Sequence, residues 1–404
     1  MLTVRIAEIN MTHNGSTGKI MLGIAAVARK KGHQVWTFSP RYYQKGQNGI
    51  WPDIEGHHFF GSISENKLHH HLSKITGFHG YFSIRGTKEL LHYLDEIHPD
   101  IIHLHNLHNW TINIPMLFSY IKKNKIRVVW TLHDCWAMTG QCPYFTMVKC
   151  YRWKEGCGSC PQIKVYPDAL VDRTSYMWEK KKSWFTGIDN LTIVTPSEWL
   201  AKLVAQSYLG NYPIQVINNG IDLSVFHDQM ERLPLEKQLQ NKKIILGVAF
   251  DWGKRKGLDV FQRLAASLGE QYAIVLVGTN EDVDRILPQN IISIHRTANQ
   301  QELAELYSSA DVFVNPTRED NFPTVNIEAL ACGTPVITFA TGGSPEIIDE
   351  SCGVVVPCDK FDELKNAIET VCNEKVCSSL ACKARAQKYD MNDKFKEYVR
   401  LYEL

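Results

Sequence analysis

The chain has no apolar run long enough to cross a bilayer as a helix, which excludes a helical membrane span. It also lacks net charge: 44 Lys and Arg stand against 43 Asp and Glu over 404 residues. That balance gives no global field toward nucleic acid, so no nucleic-acid partner is expected. Two phosphate-binding signatures are incomplete. The turn at residues 10–18, Asn-Met-Thr-His-Asn-Gly-Ser-Thr-Gly, would need Gly in place of His13 and Ser or Thr in place of Ile20 to form a Walker loop. It also lacks the three spaced glycines of the dinucleotide fingerprint. No signal peptide is expected, because the opening MLTVRIAEIN reads as a first strand. The expected location is the cytoplasm, where the eleven cysteines would stay reduced unless bound to metal.

What is present is strand–helix alternation long enough for two cores. Residues 4–9 read as a buried strand, the turn with Gly15, Ser16 and Gly18 follows, and a helix then runs to Lys31 before a strand at 34–38. Glycine there would let backbone approach a ligand at a helix N-terminus, or would simply make a turn. Residues 44–86 show no clear period and are expected to be a mobile segment near an acceptor or membrane surface. Residues 69–71 are three consecutive histidines, which cannot all face one ion. Strands are expected at 100–105 and 127–134, the latter ending in His133 and Asp134. A second strand–helix series begins at 244–249, followed by a basic loop containing Lys254, Arg255, Lys256 and Gly257. That loop is either a surface run or an anion site at a helix N-terminus.

Four cysteines cluster as Cys142-x7-Cys150-x6-Cys157-x2-Cys160. Four thiolates complete a closed tetrahedral site, and Cys157-Gly-Ser-Cys160 has the form of a zinc knuckle. We read the cluster as a structural zinc site; reduced free thiols or paired disulfides are the alternatives. Residues 176–184, YMWEKKKSW, place three lysines among aromatics on an expected helix. That is a solvated face or a contact with anionic membrane or a lipid-linked acceptor.

The densest chemistry lies at residues 317–335, TREDNFPTVNIEALACGTP. A strand ends at Pro316, an acid- and amide-rich loop follows, and a helix starts near Thr324. Asp320 opens the loop and Glu328 follows eight residues later. In parallel sheets ligands bind at such strand ends. A merely capped helix is the other reading.

This stretch resembles the acid-x7-acid element of the family 4 retaining glycosyltransferases, and its Glu-Asp-Asn-Phe-Pro wording resembles the branch that builds colanic-acid-like surface polysaccharides. Asn218-Asn-Gly-Ile-Asp222, the first glycine loop and the Cys-Gly-x-Cys-Pro insertion are similar to that family too. The resemblance implies a GT-B fold: two Rossmann-like domains facing across a cleft, with the C-terminal helix crossing back to the N-terminal domain. It implies an acceptor domain over 1–212, with the cysteine insertion at about 135–165 and completion by a helix at about 388–404. The donor domain would span 213–387. It implies transfer from a UDP- or GDP-linked sugar to a glycan or lipid-linked glycan acceptor, without catalytic metal. The implied catalytic residues are His133 and Asp320, an Asp where most members have Glu. Donor contacts would come from Gly15, Ser16, Arg255, Lys256, Arg296, Asn321, Phe322, Pro323, Thr324 and Glu328. Many members carry an Arg where this chain has Asp251, so the diphosphate role falls chiefly on Lys256. The expected location stays cytoplasmic, with peripheral contact at the inner face of the plasma membrane as the alternative to a freely dissolved enzyme. A GT-B nucleotide-sugar 2-epimerase and a non-catalytic nucleotide-sugar-binding subunit are the competing classes.

Overall fold

The computed structural model describes residues 3–42, 51–229, 239, 242–374 and 376–404. Its contacts divide the chain into two units, residues 1–217 with 395–404, and residues 218–394.

The first unit holds a parallel sheet of β1 (Arg5–Ile9), β2 (Gln34–Pro40), β3 (His57–Phe60), β4 (Ile101–Leu104), β5 (Arg127–Thr131), β6 (Leu191–Thr195) and β7 (Ile214–Val216). Their order is β3-β2-β1-β4-β5-β6-β7. β1, β4 and β5 are almost wholly buried, as expected of parallel strands covered by helices on both faces. The strand order reverses between β1 and β4, and crossover loops diverge at their carboxyl ends.

The second unit repeats the scheme with β8 (Lys243–Val248), β9 (Tyr272–Val277), β10 (Ile291–Ile294), β11 (Val312–Asn315), β12 (Val336–Phe339) and β13 (Gly353–Val356). The order β10-β9-β8-β11-β12-β13 reverses between β8 and β11. β9, Tyr-Ala-Ile-Val-Leu-Val, is buried at every position.

Three expectations need correction. The strand Ile214–Val216, expected to open the second domain, pairs with β6 and forms the edge of the first sheet, so the boundary falls at 217/218. An apolar run does not by itself say which sheet it joins. The last helix, Met391–Tyr402, joins the first unit only from Phe395 onward. There Phe395 packs so closely over Gly23 that a Cβ at that glycine would meet its ring. Arg127 donates to the carbonyls of Leu401 and Tyr402 and ties the helix end to β5.

The third correction concerns the segment expected to be mobile. Residues 43–50 lie outside the described residues, but the remainder is regular: β3, then the helices Ile63–Thr76 and Ile84–Ile97. Ser62 accepts from the amide of Glu65, and Gly77 closes the helix in the left-handed region at φ 76°. His69 is buried against Ser83, His70 stacks on Trp110, and the three histidines do not converge.

Candidate active site

In the second unit the two loops at the switch point meet. The basic loop follows β8 and the acidic loop follows β11, which are adjacent strands. Lys256 Nζ lies 2.5 Å from Asp320 Oδ2, both less than one-fifth exposed. Arg255 donates to the carbonyl of Glu319 at 3.2 Å. Gly257 has φ 77°, and a Cβ there would strike the Pro316 carbonyl, so only glycine lets the two loops approach. Directly after it starts the helix Leu258–Ser267, whose first N–H groups carry partial positive charge. Gly342, at φ 56°, abuts the backbone of Asp320 just as closely, and the amide of Gly343 donates to the carbonyl of Asn321.

The helix after the acidic loop is Thr324–Ala331, with Pro323 at its N-cap. Glu328 is half-buried on this helix and accepts from the Tyr307 hydroxyl at 3.2 Å. Asn321 is buried, and Phe322 is a core residue packed on Tyr389. With its ring in the core, Phe322 offers its backbone to a donor. Arg296 is exposed just beyond β10.

Sequence reading missed the residue that binds these loops together. Arg318 is buried and reaches three segments: Asp259 by two bonds of 2.8 Å, Asp359 by one of 2.8 Å, and the Lys254 carbonyl. Hydrogen bonding to Asp259, opposed by burial and reinforced by Asp359, raises its pKa. The signal was faint, because its partners lie 59 and 41 residues away.

In the first unit, Gly15 opens the helix Gly15–Lys30 with φ 67°, and it and Ser16 are exposed at the helix N-terminus. His133 and Asp134 follow β5. Burial, only partly opposed by Asp134, lowers the His133 pKa to about 4, so its imidazole is neutral at pH 7. Its Nε2 lies 3.1 Å from His105 Nδ1. Asp134 is buried; burial works against its charge, but His108 at 2.8 Å and the Trp136 amide bring its pKa below the usual value.

Beneath His133 sits a group not singled out from sequence. Glu8, His103 and His105 are fully buried, with ligand-type atoms within 4.8 Å of one another. They could hold a metal by atom type, but both nitrogens of His103 are already engaged, by Tyr402 at 2.6 Å and Thr131 at 2.8 Å.

Cys142, Cys150, Cys157 and Cys160 line one small pocket with Trp153 and Phe145. Burial raises the thiol pKa values of Cys142, Cys157 and Cys160. Among the described residues, the ligand atoms that converge within 4.8 Å are those of the Glu8 group, so the sulfurs share a pocket without meeting at ligand distance. Lys181, one of the three lysines expected on an exposed helix, is instead buried. It donates to the carbonyls of Trp136 and Thr139 and lies 3.6 Å from the Trp136 ring centroid. Burial lowers its pKa to about 7.

Residues 18–225 match the profile of Glycosyltransferase Family 4, and residues 242–374 match that of Glycosyl transferases group 1. An Escherichia coli K12 protein named as the colanic acid biosynthesis glycosyl transferase WcaC is 27% identical over 319 residues, 76% of each chain. Sucrose-phosphate synthase of Thermosynechococcus elongatus superposes with a TM-score of 0.72 at 20% identity, covering 99% of this chain and 98% of that one. Anabaena HepE, solved with UDP-glucose, superposes at 0.67 and 14% identity over 98% of this chain and 99% of that one. The paired Rossmann-like units are therefore those of the GT-B fold, and the chain is a glycosyltransferase that belongs to glycosyltransferase family 4.

Proposed function

We propose that the protein is a retaining glycosyltransferase. It moves a sugar from a UDP- or GDP-linked donor to a glycan or lipid-linked glycan acceptor in bacterial surface polysaccharide biosynthesis. The observation that carries this reading is the meeting of Lys256, Asp320 and the helix Leu258–Ser267 at the switch point of the second sheet, with Glu328 on the following helix. A cation beside a helix N-terminus is suited to a diphosphate, and its charge is worth most as the leaving phosphate gains charge. Glu328 would hold the ribose hydroxyls. Asp320 orients Lys256 before the donor arrives. The acceptor oxygen would bond to the sugar's C1 as the C1–O bond to phosphate breaks. The bonding pair leaves with the diphosphate, which takes the acceptor proton. Neutral His133, from the first domain, would hydrogen-bond the sugar. Relatives and neighbours named for polysaccharide synthesis or solved with UDP-glucose support the donor and acceptor classes.

The four clustered cysteines are proposed as ligands of one structural zinc, which would supply a tetrahedral cross-link and no chemistry. Their thiol donor set and shared pocket support it. Exposed Ile75, Leu170, Val171 and Tyr176 accompany the exposed cations Arg173 and Lys182 in the first domain and suit peripheral contact with anionic lipid. Vesicle sedimentation with and without anionic lipid tests that contact. The catalytic reading is tested by incubating a donor panel with glycan and lipid-linked acceptors, and by assigning the new linkage by NMR. Retention of the donor's anomeric configuration is expected; an inverted linkage, or release of a free isomerised nucleotide sugar, contradicts it.

A further inference from the structure

At the carboxyl end of the first sheet a chain of buried polar groups leads to His133. Tyr402, on the last helix, donates from its hydroxyl to Glu8 Oε1 at 3.2 Å. The other oxygen, Oε2, is 3.6 Å from His105 Nε2, and neither of these two buried atoms has another hydrogen-bond partner among the described residues. His105 Nδ1 is 3.1 Å from His133 Nε2, and the two rings stack with an interplanar angle of 15°. Glu8 and His105 are sealed from solvent, whereas His133 is half-buried. Orphaned polar atoms that face one another in a dry interior are costly, and a slight tightening between them satisfies both.

We propose that Glu8 is a positioning residue that acts through His105 to fix the tautomer of His133. With His103 donating from Nδ1 to the Tyr402 hydroxyl at 2.6 Å, that hydroxyl's one proton goes to Oε1, and the acid proton then belongs on Oε2, which faces His105 Nε2 at 3.6 Å and donates to it once the two draw closer. His105 then carries its proton on Nδ1 and donates to His133 Nε2. His133 must in turn carry its proton on Nδ1, and it serves as a donor there. Ionised Glu8 reverses every bond in the chain and gives His133 a lone pair at Nδ1. Burial raises the Glu8 pKa well above the usual carboxylate value, opposed by the bond from Tyr402 and by Arg29 from the first helix, which favours the donor form. The groups facing Glu8 are His103 on β4 and His105 just after it, Tyr398 and Tyr402 on the last helix, and Arg29. Asp134 and His108 face His133. The inference rests on His133 acting at the substrate, as in the proposed function. It agrees with a mechanism in which the leaving phosphate, and not this imidazole, takes the acceptor proton.

The test reads the tautomer directly, without substrate, so it stands or falls separately from transferase activity. The full chain labelled with 15N-histidine is followed by long-range proton–nitrogen correlation from acid to alkaline pH, with His133 assigned from a His133→Gln variant. The expected neutral-pH form is Nδ1–H in the wild type. It should be the same in Glu8→Gln, because Tyr402 keeps the amide oxygen on its own side and the NH2 then donates to His105. On raising pH the wild type should shift toward Nε2–H, and Glu8→Gln should not. Glu8→Leu should lose the fixed tautomer and lower kcat roughly tenfold, while Glu8→Gln keeps it within about twofold at neutral pH. An Nε2–H form in the wild type at neutral pH, or identical pH behaviour in wild type and Glu8→Gln, overturns the proposal. So does saturable perturbation of the His103 and His105 signals by zinc added beyond the equivalent that the cysteine cluster takes up, which would assign the cluster to a metal.

Discussion

Lys256 and Glu328 are expected to act on different parts of the donor, and their removal should look different from loss of fold. A bond to a charged group is worth about 1.5–3 kcal/mol. Lys256→Ala and Glu328→Ala should each weaken donor binding tenfold or more by calorimetry, with thermal unfolding little changed. Asp320→Glu lengthens the acid that holds Lys256 at 2.5 Å and should lower kcat; higher activity would show that the shorter acid is not fitted to this donor. These residues were legible in the sequence because their chemistry is written in short runs, the acidic loop and the Lys-Gly turn. Arg318 and Glu8 were not. Their partners come from segments distant in sequence, and a single buried Arg in a loop or Glu in a strand has no local pattern.

At the scale of elements, Arg318 links the acidic loop to the start of the helix Leu258–Ser267 and to Asp359. Asp259 and Asp359 are about half exposed, so the ion pairs are discounted for solvent. Arg318→Met should cost about 1–2 kcal/mol of stability and raise the donor KM without touching the donor itself; an unchanged KM would remove Arg318 from the site's scaffold. The strands and helices of both sheets were legible from apolar runs and turns. The helix Ile63–Thr76 was overlooked, although Ser62-x-x-Glu65 and Gly77 mark both its ends, because its three histidines and few apolar residues hide the period. The cysteine loop gives a separate expectation. Protein purified without added metal should contain about one zinc per chain, and four freely titrating thiols with zinc far below that would reject the site. Its removal should lower activity through the surroundings of His133 while donor binding is kept.

Across the whole molecule the two domains differ in how they hold ionisable groups. In the first, burial lowers His57, His69 and His103 to about 3, and His79 and His133 to about 4. Their unfolded value is 6.5, so the unfolded chain takes protons first as pH falls. The stability from keeping them neutral is therefore present above pH 6.5 and is lost toward pH 4. A fully buried one such as His103 contributes up to about 1.4 kcal/mol per pH unit in that window. Glu8, with its raised pKa, works in the opposite sense, against these five and against His13, His58 and His105, which burial also lowers. Scanning calorimetry should show the first domain's transition falling further than the second's between pH 7 and pH 5; equal shifts would contradict the assignment. The proposed reaction requires the second domain to hold a nucleoside diphosphate sugar at Lys256 and Glu328. The most direct measurement is calorimetric titration of UDP- and GDP-linked sugars into the wild type, Lys256→Ala and Glu328→Ala. Saturable binding of at least one donor, weakened tenfold or more in both variants, is the predicted result. Wild-type affinity in either variant would contradict it.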